Sequence, residues 1–240
     1  MYRRLQLIDH LAPWLLLVAF CVNSNAETRH HPAIPDSSNR PIVDSNPSYT
    51  RYFFVPNAMP LDKKAGYLQT TWLAGWSANY GISRHASLGF LTTVLGQPFL
   101  LTPKFGTKIS ESWHIGSGLI IGKINETFGV AYGMSTWGDS ERNVSWAMGW
   151  GFADGKIMRW PAVSVAAMRR VSPNLLLMAE SWAVTNYIED AHLLIYGLRW
   201  HLSVTSSLDI GFVLHRETIE EIKNNPNPGF PFLGWTYRFQ

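Results

Sequence analysis

The chain has 240 residues, of which 46% are hydrophobic, 13% aromatic and 15% charged. It contains 20 Lys and Arg and 17 Asp and Glu, so its formal net charge is +3. This hydrophobic content excludes disorder for most of the chain, and the small positive excess argues against a polybasic nucleic-acid binder. The single cysteine excludes a disulfide framework and a cysteine-rich metal site. A mean hydropathy of −0.04 argues against a bundle of membrane-spanning helices. Many aromatics, few charges and neutral hydropathy are typical of a membrane β-barrel, in which lipid-facing and lumen-facing residues alternate.

The first 26 residues predict a secretory signal peptide. Arg3 and Arg4 precede a short apolar run at residues 11–22, and small residues follow at Ser24 and Ala26. The run is shorter than the roughly 20 apolar residues that a membrane-spanning helix needs. We therefore expect cleavage after Ala26, which leaves a mature chain without cysteine.

Residues 27–48 predict a flexible linker, because they are rich in Pro, Ser, Asn and charge and show no periodicity. His30 and His31 are adjacent and could contribute to a metal site. A third ligand is not close in the sequence, so exposed linker histidines are the better interpretation. We expect neither a metal nor another cofactor.

From about residue 49 onward the hydrophobic pattern repeats every two residues, which predicts β-strands. The clearest stretch is 143–153, where one face carries Val144, Trp146, Met148, Trp150 and Phe152 and the other carries Ser, Ala and Gly. No segment has the pattern of a long amphipathic helix. The sequence therefore predicts an all-β fold over residues 49–240.

The turn signals divide residues 66–240 into eleven predicted strands. Closed bacterial outer-membrane barrels normally have an even number of strands. Residues 50–55 are strand-like and supply a twelfth, so we expect a closed antiparallel transmembrane β-barrel of about 12 strands, with 10 as the alternative. This arrangement places both chain ends on one side and the two longest connections, 185–190 and 217–229, on the other.

The two faces of the predicted strands differ in chemistry. One carries bulky apolar residues, whereas the other carries Gly, Ala, Ser and most strand charges. A closed interior of mainly Gly and Ser could not bury enough apolar surface to fold in water, so we expect the bulky face to contact lipid. The inward face would then hold a lumen charge network of Lys104, Lys108, Glu180, Arg199, Asp209 and Arg238. The four cations could pair with the two acids, or their excess could favour anions in a constricted pore.

The signal peptide, the alternating strands and the aromatic last strand at 234–240 resemble a Gram-negative outer-membrane β-barrel. Phe239 near the C-terminus resembles the signal that the barrel-assembly machinery reads, although Gln240 follows it. Residues 51–56, 66–69, 79–82 and 102–106 are similar to segments of uncharacterised barrel proteins from Bacteroidetes-type bacteria. The resemblance implies the cell outer membrane as location, with outer-membrane lipid and the assembly machinery as partners. It implies no catalytic residues and no cofactor.

Several functions remain open from the sequence. A small pore or a structural envelope protein fits best. A barrel enzyme acting on lipid acyl chains would need Ser and His at the lipid boundary, and His114, His201 and His215 have inward parity without a recognisable nucleophile motif nearby. A soluble ligand-binding barrel is a further alternative. The polar segment 217–229 could be a contact surface, although a solvated loop is the simpler interpretation, and we expect no nucleic-acid partner.

Overall fold

A computed structural model describes residues 46–184, 192–215 and 229–240. The predicted signal peptide, most of the predicted linker, the connection at 185–190 and all but Gly229 of the connection at 217–229 lie outside the described residues. Among the described residues, no helix is long and apolar enough to cross a membrane.

Twelve antiparallel strands form one closed sheet, which confirms the predicted barrel and its strand number. Two of the strands are interrupted, at residues 102–103 and 158–161. Each strand pairs with its sequence neighbours, and β12 pairs with β1, from Phe239 opposite Gly66 to Gly234 opposite Thr71. The strands are β1 (Gly66–Thr71), β2 (Gly75–Gly81), β3 (Ala86–Thr93), β4 (Phe99–Leu101 and Lys104–Ser110), β5 (Trp113–Lys123), β6 (Thr127–Gly138), β7 (Arg142–Ala153), β8 (Lys156–Ile157 and Ala162–Ser172), β9 (Leu175–Val184), β10 (His192–His201), β11 (Ser206–His215) and β12 (Phe230–Phe239).

The twelfth strand does not come from residues 50–55, as we expected. It arises because residues 66–81, which have the pattern of one long strand, form the hairpin β1–β2. The chain turns at Trp72 and Leu73, whose φ angles are 51° and 57°, and the nitrogen of Ala74 donates to the carbonyl of Thr71 (3.1 Å). Left-handed φ angles are uncommon in residues other than Gly, Asn and Asp, so the sequence carries no ordinary turn signal here.

The barrel has two distinct ends. The turn end carries the start of β1, the end of β12 and the connections at 82–85, 111–112, 139–141, 173–174 and 202–205. The loop end carries the turn at 72–74 and the strand ends from which the connections 185–191 and 216–228 depart. Both ends of the barrel domain thus lie opposite the two longest connections, as the turn pattern predicts.

Residues 46–65, which we call the finger, lie inside the barrel except for residues 62–64, which are exposed. The finger enters at the turn end, reverses at residues 52–55 and returns to the turn end, where β1 begins. The nitrogen of Tyr52 donates to the carbonyl of Val55 (2.9 Å), and the nitrogen of Asn57 donates to the carbonyl of Thr50 (3.0 Å). The strand-like segment 50–55 is therefore part of a buried hairpin and is not a wall strand. Residues 46–48, counted within the predicted linker, are also buried.

Large hydrophobic side chains cover the outer face of the barrel. On β7, Trp146 is 55% exposed, whereas Ser145 beside it is 1% exposed and points inward. Aromatics gather at the turn end of this face, where Trp113 lies directly opposite Trp137 on neighbouring strands. The outward orientation of the bulky residues is as the alternation predicts.

The interior is more apolar than expected. The inner faces of β8–β10 and β12 carry an apolar cluster rather than only Gly and Ser, and the finger packs Tyr52, Phe53 and Val55 against it. The wall residues of this cluster are Ala166, Met168, Leu176, Met178, Ile195 and Phe232. The finger and this side of the wall therefore form a hydrophobic core inside the barrel.

Candidate functional site

Arg199 holds the base of the finger to the wall. Its guanidinium forms a two-pronged ion pair with Asp209 on the neighbouring strand, at 2.7 and 2.9 Å, and both side chains are fully buried. The same group donates to the finger carbonyls of Ser48 (2.9 Å), Arg51 (3.2 Å) and Tyr52 (3.1 Å). A planar guanidinium with five donors can serve a carboxylate and several carbonyls together.

Glu180 holds the finger at its reversal. One carboxylate oxygen accepts hydrogen bonds from the backbone nitrogens of Phe54 (2.9 Å) and Val55 (3.1 Å), and the other accepts from the indole of Trp182 (2.5 Å). Glu180 is fully buried. It satisfies backbone donors that the reversal of the chain leaves without a partner in the finger itself.

Lys104 joins the two limbs of the finger. Its ammonium donates to the carbonyls of Thr50 (3.4 Å), Asn57 (2.9 Å) and Met59 (2.9 Å). Those carbonyls belong to the ascending and the returning limb. An ammonium has three donors, and here each finds a backbone acceptor.

Arg238 holds the end of the returning limb. Its guanidinium donates to the carboxylate of Asp62 (3.0 Å) and lies 5.3 Å from the ring centre of Tyr49. The phenol of Tyr49 donates to the carbonyl of Pro60 (3.0 Å). Burial and the nearby Asp62 carboxylate raise the pKa of Tyr49 to about 12, so the phenol keeps the proton that it donates.

The tip of the finger is fixed by aromatic contacts near the loop end. The ring of Phe53 meets that of Phe232 edge-on, with centroids 4.9 Å apart, and Phe54 contacts Phe232 and Trp72 at 5.4 and 6.0 Å. Deeper in the lumen, the phenol of Tyr52 hydrogen-bonds with Asn143 and Ser145 on β7. The finger thus contacts the wall along most of the barrel.

Two cavities adjoin the finger. One of about 390 Å³ at the turn end is lined by residues that include Lys108, His114, Asp139 and Arg238. The other, of about 90 Å³, lies between the finger and the wall on the side of β1–β6. The apolar core thus joins the finger to β8–β12, whereas two cavities remain between the finger and other parts of the wall.

The expected lumen charges do not form one network among themselves. Of the six residues, Arg199 and Asp209 pair with each other, whereas Glu180, Lys104 and Arg238 bind atoms of the finger. Lys108 is exposed beside the turn-end cavity. Lys104 and Arg238 therefore do not pair with Glu180 or Asp209 as expected, because the finger supplies their partners.

The sequence interpretation missed Arg51, Asp62 and the rest of the finger as part of the site. A usable signal was present. Pro56 and Pro60 lie between the strand-like segment 50–55 and the first wall strand, and proline is excluded from central strands. The connection of ten residues is also longer than a β-hairpin turn. A strand-like segment that cannot pair with its sequence neighbour has to pack elsewhere.

The histidines considered for catalysis lie apart. His114 lines the turn-end cavity, and His215 is exposed at the end of β11. His201 is buried, and its Nδ1 lies 3.4 Å from Nη2 of Arg170. A different pair is in contact, since the hydroxyl of Ser181 lies 2.8 Å from Nε2 of His192. Both belong to the outer face by alternation along β9 and β10, where Ser181 is 6% exposed. The sequence interpretation did not select this pair.

Comparison with known proteins identifies relatives of the fold alone. A KdgM porin, solved in complex with disordered oligogalacturonate, superposes with a TM-score of 0.50 at 7% identity, over 73% of this chain and 98% of that chain. The chain therefore has a porin-like barrel fold. A NanC porin gives a TM-score of 0.45 at 8% identity, over 72% of this chain and 97% of that one. No protein-family model and no curated protein matches this sequence.

Proposed function

We propose that the protein is an outer-membrane β-barrel that serves as a narrow pore whose lumen is constricted by its own N-terminal finger. The observation that carries the membrane location is the outer face, where the described parts of the chain leave large side chains such as Trp137 (64% exposed) and Trp146 (55% exposed) uncovered. Leaving such a face in water would cost on the order of tens of kcal/mol. Lipid removes this cost, because it is as apolar as the side chains.

The same reasoning supports the partners expected from the sequence. Outer-membrane lipid covers the outer face, and β12 carries the aromatic C-terminal pattern for the barrel-assembly machinery. Delivery to the outer membrane would follow cleavage of the signal peptide near Ala26. The narrower similarity of residues 51–56, 66–69, 79–82 and 102–106 to Bacteroidetes-type barrels stays a prediction.

The finger should give the pore a low conductance, because it fills part of the lumen. It fills the side of the lumen formed by β8–β12, where Arg199 and Glu180 hold it, and Lys104 on β4 binds both of its limbs. Twelve strands enclose less space than the 16–18 strands that leave a wide channel. Small solutes and ions would pass through the remaining space beside the finger, whereas large solutes would not.

Single-channel recording in planar bilayers tests this proposal. We expect small conductance steps for the wild-type protein and larger or more frequent openings for Phe53→Ala, because this change removes the main apolar contact of the finger tip with the wall. Tyr80→Ala is the matched control, since it removes an aromatic ring from the outer face and leaves the lumen intact. A barrel that inserts but never conducts in any variant contradicts the pore and leaves a structural envelope protein.

A second function is favoured by one observation, the hydrogen bond between Ser181 and His192 on the outer face. A serine activated by a histidine at the lipid boundary could hydrolyse lipid acyl esters. Labelling with a fluorophosphonate probe tests this directly. Covalent labelling that is lost in both Ser181→Ala and His192→Ala would support the enzyme, and no labelling of the wild-type protein would reject it.

A further inference from the structure

The cavity of about 90 Å³ beside the finger has the features of a binding site for a small anion. It lies between the finger and the wall formed by β1–β6, with room for a small ion and a few waters. Polar groups come from both sides. Its lining includes Arg51 from the finger and Tyr67, Ser77, Thr102, Lys104 and Tyr132 from the wall.

Arg51 carries a buried donor without a partner. The residue is 9% exposed and its Nη2 donates to the carbonyl of Phe53 (2.9 Å). Its Nε has no hydrogen-bond partner within the described parts of the chain. A buried donor of a charged group that is left unpaired costs several kcal/mol at most sites, so a ligand for it is expected.

The charged residues that line the cavity also favour an anion. The described lining of the cavity includes two basic residues, Arg51 and Lys104, and no acidic residue, so basic side chains are in excess there. Arg199 and Asp209 neutralise each other. An uncompensated charge is costly inside a barrel that lipid surrounds.

Two glycines of the wall make room for the polar lining. A Cβ atom at Gly89 would lie 2.5 Å from the hydroxyl of Thr102, and a Cβ atom at Gly118 would lie 2.3 Å from the hydroxyl of Tyr132. Any larger residue would push these hydroxyls out of their positions. The absence of side chains at both glycines therefore allows the hydroxyls to line the cavity.

From the cavity, the unpaired donor and the excess charge together, we propose that the lumen binds a small monovalent inorganic anion, of the size of chloride, between Arg51 of the finger and the hydroxyl-lined wall of β3–β6. Arg51 supplies the charged donor, Lys104 supplies charge because its own donors are used on carbonyls, and Tyr132 and Thr102 supply hydroxyl donors. The anion links the finger to the side of the wall that the apolar cluster does not reach. Its binding therefore stabilises the docked finger.

The test uses the purified full mature chain in detergent and measures thermal unfolding in sodium chloride or sodium gluconate at equal ionic strength. We expect chloride, but not the larger gluconate, to raise the unfolding temperature with saturation. Arg51→Met should weaken the apparent chloride affinity about tenfold or more. Lys108→Met is the control, because it removes a cation of the turn-end cavity, and it should keep the wild-type response. Equal responses to both salts, or an unchanged response in Arg51→Met, would overturn the proposal.

A second measurement covers the case in which Arg51→Met releases the finger. Tyr132→Phe removes one hydroxyl without changing charge, and we expect it to weaken chloride binding several-fold. Crystals soaked in bromide should show an anomalous peak between Arg51 and Tyr132, and peaks confined to the protein surface would contradict the site. Because neither measurement involves a membrane or a current, the anion site and the proposed pore can fail independently.

Discussion

Arg199 and Asp209 lie opposite each other on β10 and β11 and form an ion pair in which neither side chain has any exposed surface. The pairing orients the guanidinium so that its remaining donors point at the carbonyls of Ser48, Arg51 and Tyr52. A buried pair of charges contributes little net stability by itself, because desolvation offsets the attraction. The ion pair acts here by fixing the orientation of the Arg199 donors, which then bind the irregular backbone of the finger.

Asp209→Asn should therefore release the base of the finger. It leaves the buried guanidinium of Arg199 without a counter-charge, and we expect a loss of about 3–5 kcal/mol in stability. Chemical unfolding in detergent measures the loss, and limited proteolysis within residues 46–65 reports release of the finger. Asp62→Asn is the matched control, because Asp62 also pairs with an arginine but is 68% exposed, and it should cost less than about 1 kcal/mol. Equal effects of the two substitutions would refute the role of Arg199.

A disulfide can report whether the finger occupies the lumen in the assembled protein. The hydroxyl oxygens of Ser48 and Ser207 lie 3.3 Å apart in the interior, within the reach of a disulfide between cysteines at these positions. The one natural cysteine, Cys21, lies in the predicted signal peptide. Ser48→Cys with Ser207→Cys should give a cross-linked species on non-reducing gels that reductant removes, and Ser48→Cys alone should not. A folded double variant that stays fully reduced under oxidising conditions would show that the finger lies elsewhere.

The orientation of the barrel wall predicts the effect of charge on its outer face. Trp146→Arg would place a guanidinium where lipid is expected, at a cost of about 2–4 kcal/mol near the bilayer midplane. Trp146→Leu is the control, because it shortens the side chain and keeps it apolar. Folding yield and urea stability in lipid vesicles measure both. If the arginine variant folded into vesicles as well as the leucine variant, this face would not contact lipid.

The sequence was sufficient to predict the barrel wall, because alternation along one strand depends only on that strand. Trp146 and Ser145 are adjacent and face opposite sides, as their chemistry indicates. The effect of changing Ser145 could not be predicted in the same way. An open lumen would accommodate an arginine at this position, but Ser145 contacts the phenol of Tyr52, so the finger makes this position as restrictive as the core.

The contacts of the finger could not be predicted, because they join residues that are distant in sequence. Residues 50–55 are strand-like, and nothing in the local sequence shows that Phe53 and Phe54 contact Phe232 and Glu180. Among the charged residues expected in the lumen, Glu180, Arg199 and Asp209 are fully buried. Their partners could not be predicted, since most of those partners are backbone atoms, and a backbone atom has no signature in the sequence.

The turn between β1 and β2 offers the last prediction, since it was hidden from the sequence by its residue types. Leu73 has a φ of 57° and its side chain is 69% exposed, so it contributes little packing and adopts a backbone conformation that costs about 1–2 kcal/mol in an L-residue. Leu73→Gly should relieve this cost and raise the unfolding temperature, although the added freedom of the unfolded chain offsets part of the gain. Trp72→Gly removes the same kind of strain at φ 51° but loses the ring contacts with Phe54 and Phe232 and the hydrogen bond to the carbonyl of Pro231 (2.7 Å). We therefore expect the two substitutions to have opposite effects on unfolding temperature, and a stabilising Trp72→Gly would mean that this tryptophan does not hold the tip of the finger.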